Sequence, residues 1–300
     1  MIRYNPKEWF LIIFRFHKAD TFRKLLPLIV VLCLYAGLVV WLEVSVWKLS
    51  ESSHVKNLSL IHSSLGMVIS LLLVFRTKTA YERWWEGRKV WGGLMNSSRN
   101  LALKINALQP QERSFFSRMI PNFAFALKNH LRRNFIAEEL EDAENCSVEN
   151  LNPGENVPNQ VVGAMMERAA LLVRESRLSP SELLFIQPEL SNFADALGAC
   201  ERIRNTPIPY SYSVFLKKFM FLYVMTLPFG FVFSLGYFTI PVTAVIFYVL
   251  ASLELIAEEI EDPFGTDAND LPTDEIARAI RKNVKEIFGE RVAELPRSIN

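Results

Sequence analysis

Three stretches of this 300-residue chain run without a charged side chain for too long to suit an ordinary water-soluble fold. "LLPLIVVLCLYAGLVVWL" lies between Lys24 and Glu43, and "NLSLIHSSLGMVISLLLVF" between Lys56 and Arg76. Each is close to the roughly 20 residues a helix needs to cross the hydrocarbon core of a bilayer. The third, from Phe219 to Leu253, reads "FMFLYVMTLPFGFVFSLGYFTIPVTAVIFYVLASL" and is about twice as long as one crossing requires. Gly236 through Pro241 supplies turn residues near its middle, so this stretch is expected to form a hairpin of two helices. The expected fold is an all-α membrane protein with four transmembrane helices. Half of all residues are hydrophobic and the charged ones come in blocks, which agrees with that class.

Charge placement sets the expected orientation. Arg15, Lys18, Arg23 and Lys24 precede the first span, Arg76, Lys78, Arg83, Arg88 and Lys89 follow the second, and Arg202, Arg204, Lys217 and Lys218 precede the third. Cations collect on the cytoplasmic side, so both termini are expected there, with the link from Lys48 to Lys56 and the turn near Gly236 outside. A cleavable signal peptide fits poorly: the charge-bearing "EWFLIIFRFHKADTFRK" precedes the first span, and no small-residue cleavage site follows it. The leading residues 1–24 instead read as an interfacial helix, with Trp9, Phe10, Ile13 and Phe14 lying along the headgroups.

Residues 25–76 then hold the first two transmembrane helices, 77–212 a cytoplasmic helical region, 213–254 the last two transmembrane helices, and 255–300 a cytoplasmic acidic turn and helix. The cytoplasmic region is helical in period and broken at "LQPQER", "ELEDAENCSVENLNPGENVPN" and "RLSPSE". The middle break, from about Glu138 to Asn159, has little apolar material and is expected to be mobile. The net charge of +1 offers no basic excess for nucleic acid. Cys33, Cys146 and Cys200 are spaced neither as a disulfide framework nor as a metal pair, and are expected to be reduced and structural. His17, His54, His62 and His130 share no metal-ligand spacing, and no nucleotide-binding glycine loop, zinc-protease helix or nucleophile elbow occurs. Nothing visible supports an enzyme.

Three motifs are more specific. "FRTKTAYERWWEGRKVWG" at 75–92 sets three tryptophans and several cations at the end of the second span. As physics alone it reads as an aromatic belt with positive-inside anchoring. Together with "NTPIPYSY" at 205–212 and "EEIEDPFGTDANDLPTD" at 258–274, in that order and with the four-span layout, it resembles the bestrophin family over nearly the full chain. Bestrophins are pentameric chloride-type channels with a prokaryotic branch. The resemblance implies a homopentamer around one axial pore in the cell membrane, here a bacterial inner membrane. Each subunit would give its second span to the pore wall.

The resemblance also implies two constrictions. It places a hydrophobic neck at Leu60, Ser64 and Val68, whose spacing of four keeps them on one helix face. Ser64 is small and polar where animal members carry bulky residues, which moves the expected driest point toward Val68 or Leu72. Without the resemblance, the face of Ser63, Met67 and Ser70 is an equal candidate. Ile208 matches the family's cytosolic aperture; prolines on both sides deny it a regular helix, and a ring of isoleucines would shed water. Read without the family, the same residues are a turn before the third span.

In the acidic stretch, Glu259, Asp262, Asp267 and Asp270 stand where animal bestrophins hold calcium in a clasp of oxygen ligands. The family's N-terminal carbonyl ligand has no counterpart here. The competing reading is structural: Asp267 and Asp270 cap helices while the Pro-Phe-Gly turn buries Phe264. No cofactor is required on this view, and calcium is the one candidate. The expected partners are small inorganic ions, chloride or sodium, together with the lipid bilayer and four further copies of the chain. A secondary transporter lacks the paired broken helices that class shows. A membrane-anchored metal enzyme lacks a nucleophile or histidine ligand.

Overall fold

The computed structural model describes residues 21–46, 58–144 and 146–290. The expected interfacial helix with Trp9, Phe10, Ile13 and Phe14, and the link from Lys48 to Lys56, lie outside the described residues. Within them the chain is all-helical, with a single isolated bridge between Ala143 and Cys146. The helices are α1 (Thr21–Trp41), α2 (Leu58–Leu108), α3 (Arg113–Leu131), α4 (Val157–Arg174), α5 (Pro180–Asn205), α6 (Tyr210–Leu235), α7 (Thr239–Glu261) and α8 (Thr273–Phe288). Cys33, Cys146 and Cys200 form no disulfide.

The chain divides into two compact units. The first holds the described residues up to Trp84, with Pro207–Asp262 and Asp267–Asn269. Its core is a cluster of Leu32 from α1, Ile69 and Leu73 from α2, Leu216, Met220 and Val224 from α6, and Leu250 from α7. Two polar contacts pin the apolar helices in register: Tyr35 donates to the Met225 carbonyl at 2.9 Å, and His62 Nε2 lies 2.9 Å from Thr226 Oγ1. The stretches Thr21–Val46, Leu60–Leu108 and Tyr210–Glu261 are each long and apolar enough to cross a membrane, yet only 28%, 22% and 33% of their most apolar windows are buried within the protomer. Most of these residues therefore face outward, which suits contact with lipid.

The last stretch breaks into α6 and α7 at Gly236–Phe238. Gly236 makes that break: its φ of +53° with ψ of −131° is open to glycine and strained for any other L residue. Pro241 then falls in the first turn of α7, where a missing N–H costs no intrahelical bond. The helix α2 is 51 residues long, roughly 75 Å at 1.5 Å per residue. That is more than twice the roughly 30 Å hydrocarbon core. It therefore runs through the expected boundary at residue 76 without interruption.

The second unit holds Trp85–Thr206, Pro263–Thr266 and the described residues from Asp270 on. Its centre is α3, on which Phe116, Ile120, Phe123 and Leu127 are fully buried and against which α4, α5 and α8 pack. Buried charges are matched. Lys128, 2% exposed, meets Glu139 at 2.6 Å and Asp274 at 3.0 Å, and Arg132 meets Asp274 at 2.7 Å. Burial alone would push the Asp274 carboxyl up; hydrogen bonds from Arg132 and Lys128 overcome it and hold the group below its usual range. The interruption at "LQPQER" is a 3-10 turn, Pro110–Glu112, and that at "RLSPSE" is a capping box in which Ser179 and Glu182 satisfy each other's backbone N–H.

The acidic loop after residue 138 departs from the expectation of mobility. Asn122 presents its amide edge to it, donating to the Glu141 carbonyl at 2.7 Å and accepting from the Glu141 N–H at 2.9 Å. Lys285 holds the Glu141 carboxylate at 2.9 Å, and Asp142 takes the Val148 N–H at 2.7 Å. A loop with little apolar material is thus fastened by side chains from distant helices, which composition does not register.

Glu112 gives a direct test of the second unit. It is 2% exposed and is gripped by Arg168 at 2.6 and 3.1 Å and by Arg177 at 2.6 Å. Glu112→Ala removes the buried partner of Arg168 and Arg177, which can still reach water, and should cost about 2 kcal/mol, below the value for a fully buried pair. Thermal melting of the detergent-solubilised protein reads the loss; an unchanged midpoint would contradict this account.

Candidate functional site

The membrane half of α2 buries one stripe and exposes the rest. His62, Ile69, Leu73, Arg76 and Ala80 face the protomer core and are almost inaccessible. Leu60 is 70% exposed, Val68 is 49% exposed, and Ser64 lies on the same open face. Ser63, Met67 and Ser70 are exposed as well. Both candidate pore faces therefore point away from the protomer core, and neither is consumed by packing within one chain. The serine hydroxyls are satisfied inside the helix, Ser64 donating to the Leu60 carbonyl at 3.3 Å and Ser70 to the Gly66 carbonyl at 2.7 Å. Leu72 is half-buried and packs against the core cluster.

Between α5 and α6 the residues Pro207, Ile208 and Pro209 are irregular, as two flanking prolines require. Ile208 is half-buried, and its backbone N–H donates to Glu261 Oε1 at 2.7 Å. The other oxygen of that carboxylate lies 2.7 Å from Arg76 Nη2, and Arg76 Nε is 3.4 Å from Glu254 Oε2. Arg76 is 2% exposed and Glu254 3%. Tyr212, in the first turn of α6, donates to the Leu72 carbonyl at 3.0 Å, and Arg83 Nε donates to the Glu261 carbonyl at 3.1 Å. Sequence reasoning treated Arg76 as one of several anchoring cations and missed this cluster. The available signal was the spacing of Glu254 and Glu261: seven residues apart on one apolar helix, they fall on a common face.

Of the expected clasp, Glu259, Asp267 and Asp270 would contribute side-chain oxygens and Asp262 its backbone carbonyl. Both oxygens of Glu259 are engaged, Oε1 by Lys24 and Oε2 by Asn269 Nδ2 at 2.6 Å, and Trp84 Nε1 fixes the Asn269 carbonyl at 3.0 Å. Asp262 ends α7 and is exposed, as is Asp267, whereas Asp270 is buried. Among the described residues, no three His, Cys, Asp or Glu side chains gather as a metal-holding group. Both oxygens of Glu259 are thus taken, and a calcium ion at these positions would have to displace Lys24 and Asn269 from that carboxylate. Pro272 stands at the N-cap of α8, which has no side-chain cap from that residue. The Pro-Phe-Gly turn does bury Phe264, 2% exposed, and seats its ring over Gly87. A Cβ at Gly87 would lie 3.1 Å from that ring, so a larger residue there requires the ring to give by a few tenths of an ångström.

Comparison with known proteins bears on the same features. The family model described as Bacterial/Fungal Bestrophin protein matches residues 1–286. A voltage-dependent anion channel-forming protein of Nostoc sp. is 40% identical over 231 residues, covering 74% of this chain and 75% of that protein. The voltage-dependent anion channel-forming protein YneE of Escherichia coli strain K12 is 37% identical over 242 residues, covering 79% of this chain and 78% of its own length. Among solved structures, a bacterial bestrophin homologue from Klebsiella pneumoniae superposes with a TM-score of 0.77 at 28% identity, over 88% of this chain and 98% of that one. The order of the three motifs, the apolar helices and the family match over nearly the whole length agree, and the chain belongs to the bacterial and fungal bestrophin family.

Proposed function

We propose that the chain is one subunit of a passive channel for small inorganic ions in the bacterial inner membrane, with both termini cytoplasmic and anions as the conducted class. The observation that carries the reading is the membrane half of α2. One stripe is buried, while the two remaining faces, Leu60–Ser64–Val68 and Ser63–Met67–Ser70, are uncharged and open. Uncharged, weakly polar walls let ions pass without trapping them, and apolar narrowings gate by shedding water. The names of the Nostoc and Escherichia coli relatives support anions. Conduction here is electrodiffusion and transforms no substrate.

On this reading residues 25–76 and 213–254 hold four membrane crossings, 77–212 and 255–300 lie in the cytoplasm, and Ile208 forms the cytosolic aperture. A four-span protomer with its apolar faces open cannot enclose an ion path alone, so several copies share one axis, and the bestrophin resemblance implies five. The mass of the detergent-purified protein should correspond to five chains. A conducting monomer or dimer would rule this architecture out.

Planar-bilayer recording of the purified protein should give unitary current steps whose reversal potential under a potassium chloride gradient lies on the chloride side. Reversal at the cation potential would move the assignment to monovalent cations, and absence of current steps would remove the channel.

The acidic turn is structural in this account, because its carboxylates serve protein donors. Millimolar calcium should leave both the melting midpoint and the current unchanged. Calcium-dependent opening that disappears in the Asp267→Asn, Asp270→Asn double variant would show a working clasp instead.

A further inference from the structure

We infer that Glu261 is the positioning residue of the aperture: its carboxylate ties the Ile208 turn to the second-span helix through Arg76. The inference rests on the reading of Ile208 given above and adds what holds that residue in place. Proline carries no backbone N–H, so Ile208 has the only backbone donor in the Pro207–Ile208–Pro209 turn. That donor goes to Glu261 Oε1 at 2.7 Å. Glu261 Oε2 meets Arg76 Nη2 at 2.7 Å, so each oxygen of one carboxylate holds one of the two elements to be joined.

The other end of the tie is buried. Arg76 is 2% exposed, and neither its Nε nor its Nη1 has a hydrogen-bond partner, so Glu261 and Glu254 are what orient the guanidinium. Arg76 sits one turn beyond Leu72, whose carbonyl takes the Tyr212 hydroxyl at 3.0 Å. The turn is therefore fastened to α2 twice, through Glu261 on one side of Ile208 and through Tyr212 on the other. Arg83 Nε holds the Glu261 backbone itself at 3.1 Å. A shift of α2 along its axis would carry the Ile208 backbone with it, which links the expected neck to the aperture by direct contacts rather than by distance.

The test compares the permeability of thiocyanate with that of chloride in single-channel recordings of assembled protein. Ile208→Ala should raise the ratio by widening the aperture. Glu261→Leu keeps the side-chain volume, removes both acceptor oxygens and leaves Arg76 with Glu254 as its counter-charge. It should shift the ratio in the same direction by about fivefold, the equivalent of one net hydrogen bond. Glu261→Gln retains an acceptor for the Ile208 N–H and should recover most of the wild-type ratio. In the Ile208→Ala background, Glu261→Leu should add nothing further. An unchanged ratio in assembled Glu261→Leu, while Ile208→Ala shifts it, overturns the positioning role alone. Independent, additive effects of the two changes would do the same, since Glu261 would then act elsewhere. If Ile208→Ala leaves the ratio unchanged in a conducting channel, the aperture reading falls and takes this inference with it. Should Glu261→Leu fail to assemble, Glu261→Asp reads the same ratio: it keeps the charge for Arg76 but shortens the reach to Ile208. A wild-type ratio there counts against the tie.

Discussion

A bilayer offers no water to a backbone N–H or C=O, and every feature of the first unit follows from that restriction. Each spanning segment must satisfy its own backbone, which makes it a helix. Once helical, the segments gain no hydrophobic advantage from leaving lipid for one another, so their contacts rest on close packing and a few polar pins. The core cluster of Leu32, Ile69, Leu73, Leu216, Met220, Val224 and Leu250 is accordingly small for four helices. Tyr35 to Met225 and His62 to Thr226 add the directional contacts. The open faces of α2 are the remainder of the same arithmetic, because its membrane half, which buries His62, Ile69, Leu73, Arg76 and Ala80, has most of its circumference left for other surfaces.

Where α2 passes from apolar sequence to charged sequence, the restriction reverses. Arg76 is the first charge after an apolar run, and it does not reach for water; it is 2% exposed between Glu254 and Glu261. Burying a guanidinium is tolerable only with counter-charge and hydrogen bonds at hand. One cation between two carboxylates leaves a surplus acceptor, and the surplus is used: Glu261 takes the Ile208 N–H with its second oxygen. A requirement of burial thereby fixes the position of a turn that proline chemistry has stripped of other donors.

Much of the fold was legible because it depends on quantities that accumulate along the sequence. Charge-free length marks the apolar segments, and Gly236 with Pro241 marks the break between α6 and α7. The "RLSPSE" interruption marks the break before α5, and the structure adds the Ser179–Glu182 capping box there. What stayed hidden depends on single contacts between residues far apart in sequence. The pairing of Arg76 with Glu254 and Glu261 joins two parts of the first unit's sequence that the segment Trp85–Thr206 separates. The hold of Asn122 on Glu141 turns a loop of disordered composition into an ordered one. The pore face was illegible for a different reason: Leu60, Ser64 and Val68 differ little in character from Ser63, Met67 and Ser70, and the protomer leaves both open. Only the family resemblance selects between them.

The acidic stretch shows why carboxylate count is a weak guide to metal binding. Glu261, Asp262, Asp267, Asp270 and Asp274 crowd fourteen residues of sequence, and Glu259 lies just before them. A hard cation needs several of these oxygens to converge and to be free of other donors. Here Glu259 serves Lys24 and Asn269, Glu261 serves Arg76 and the Ile208 N–H, and Asp274 serves Lys128 and Arg132. Each of these carboxylates has two protein donors, so each would have to give up charge-assisted hydrogen bonds before it could contribute to an ion. The same density of acid that suggests a cation site in the sequence is, in the fold, the means by which buried arginines and lysines are neutralised.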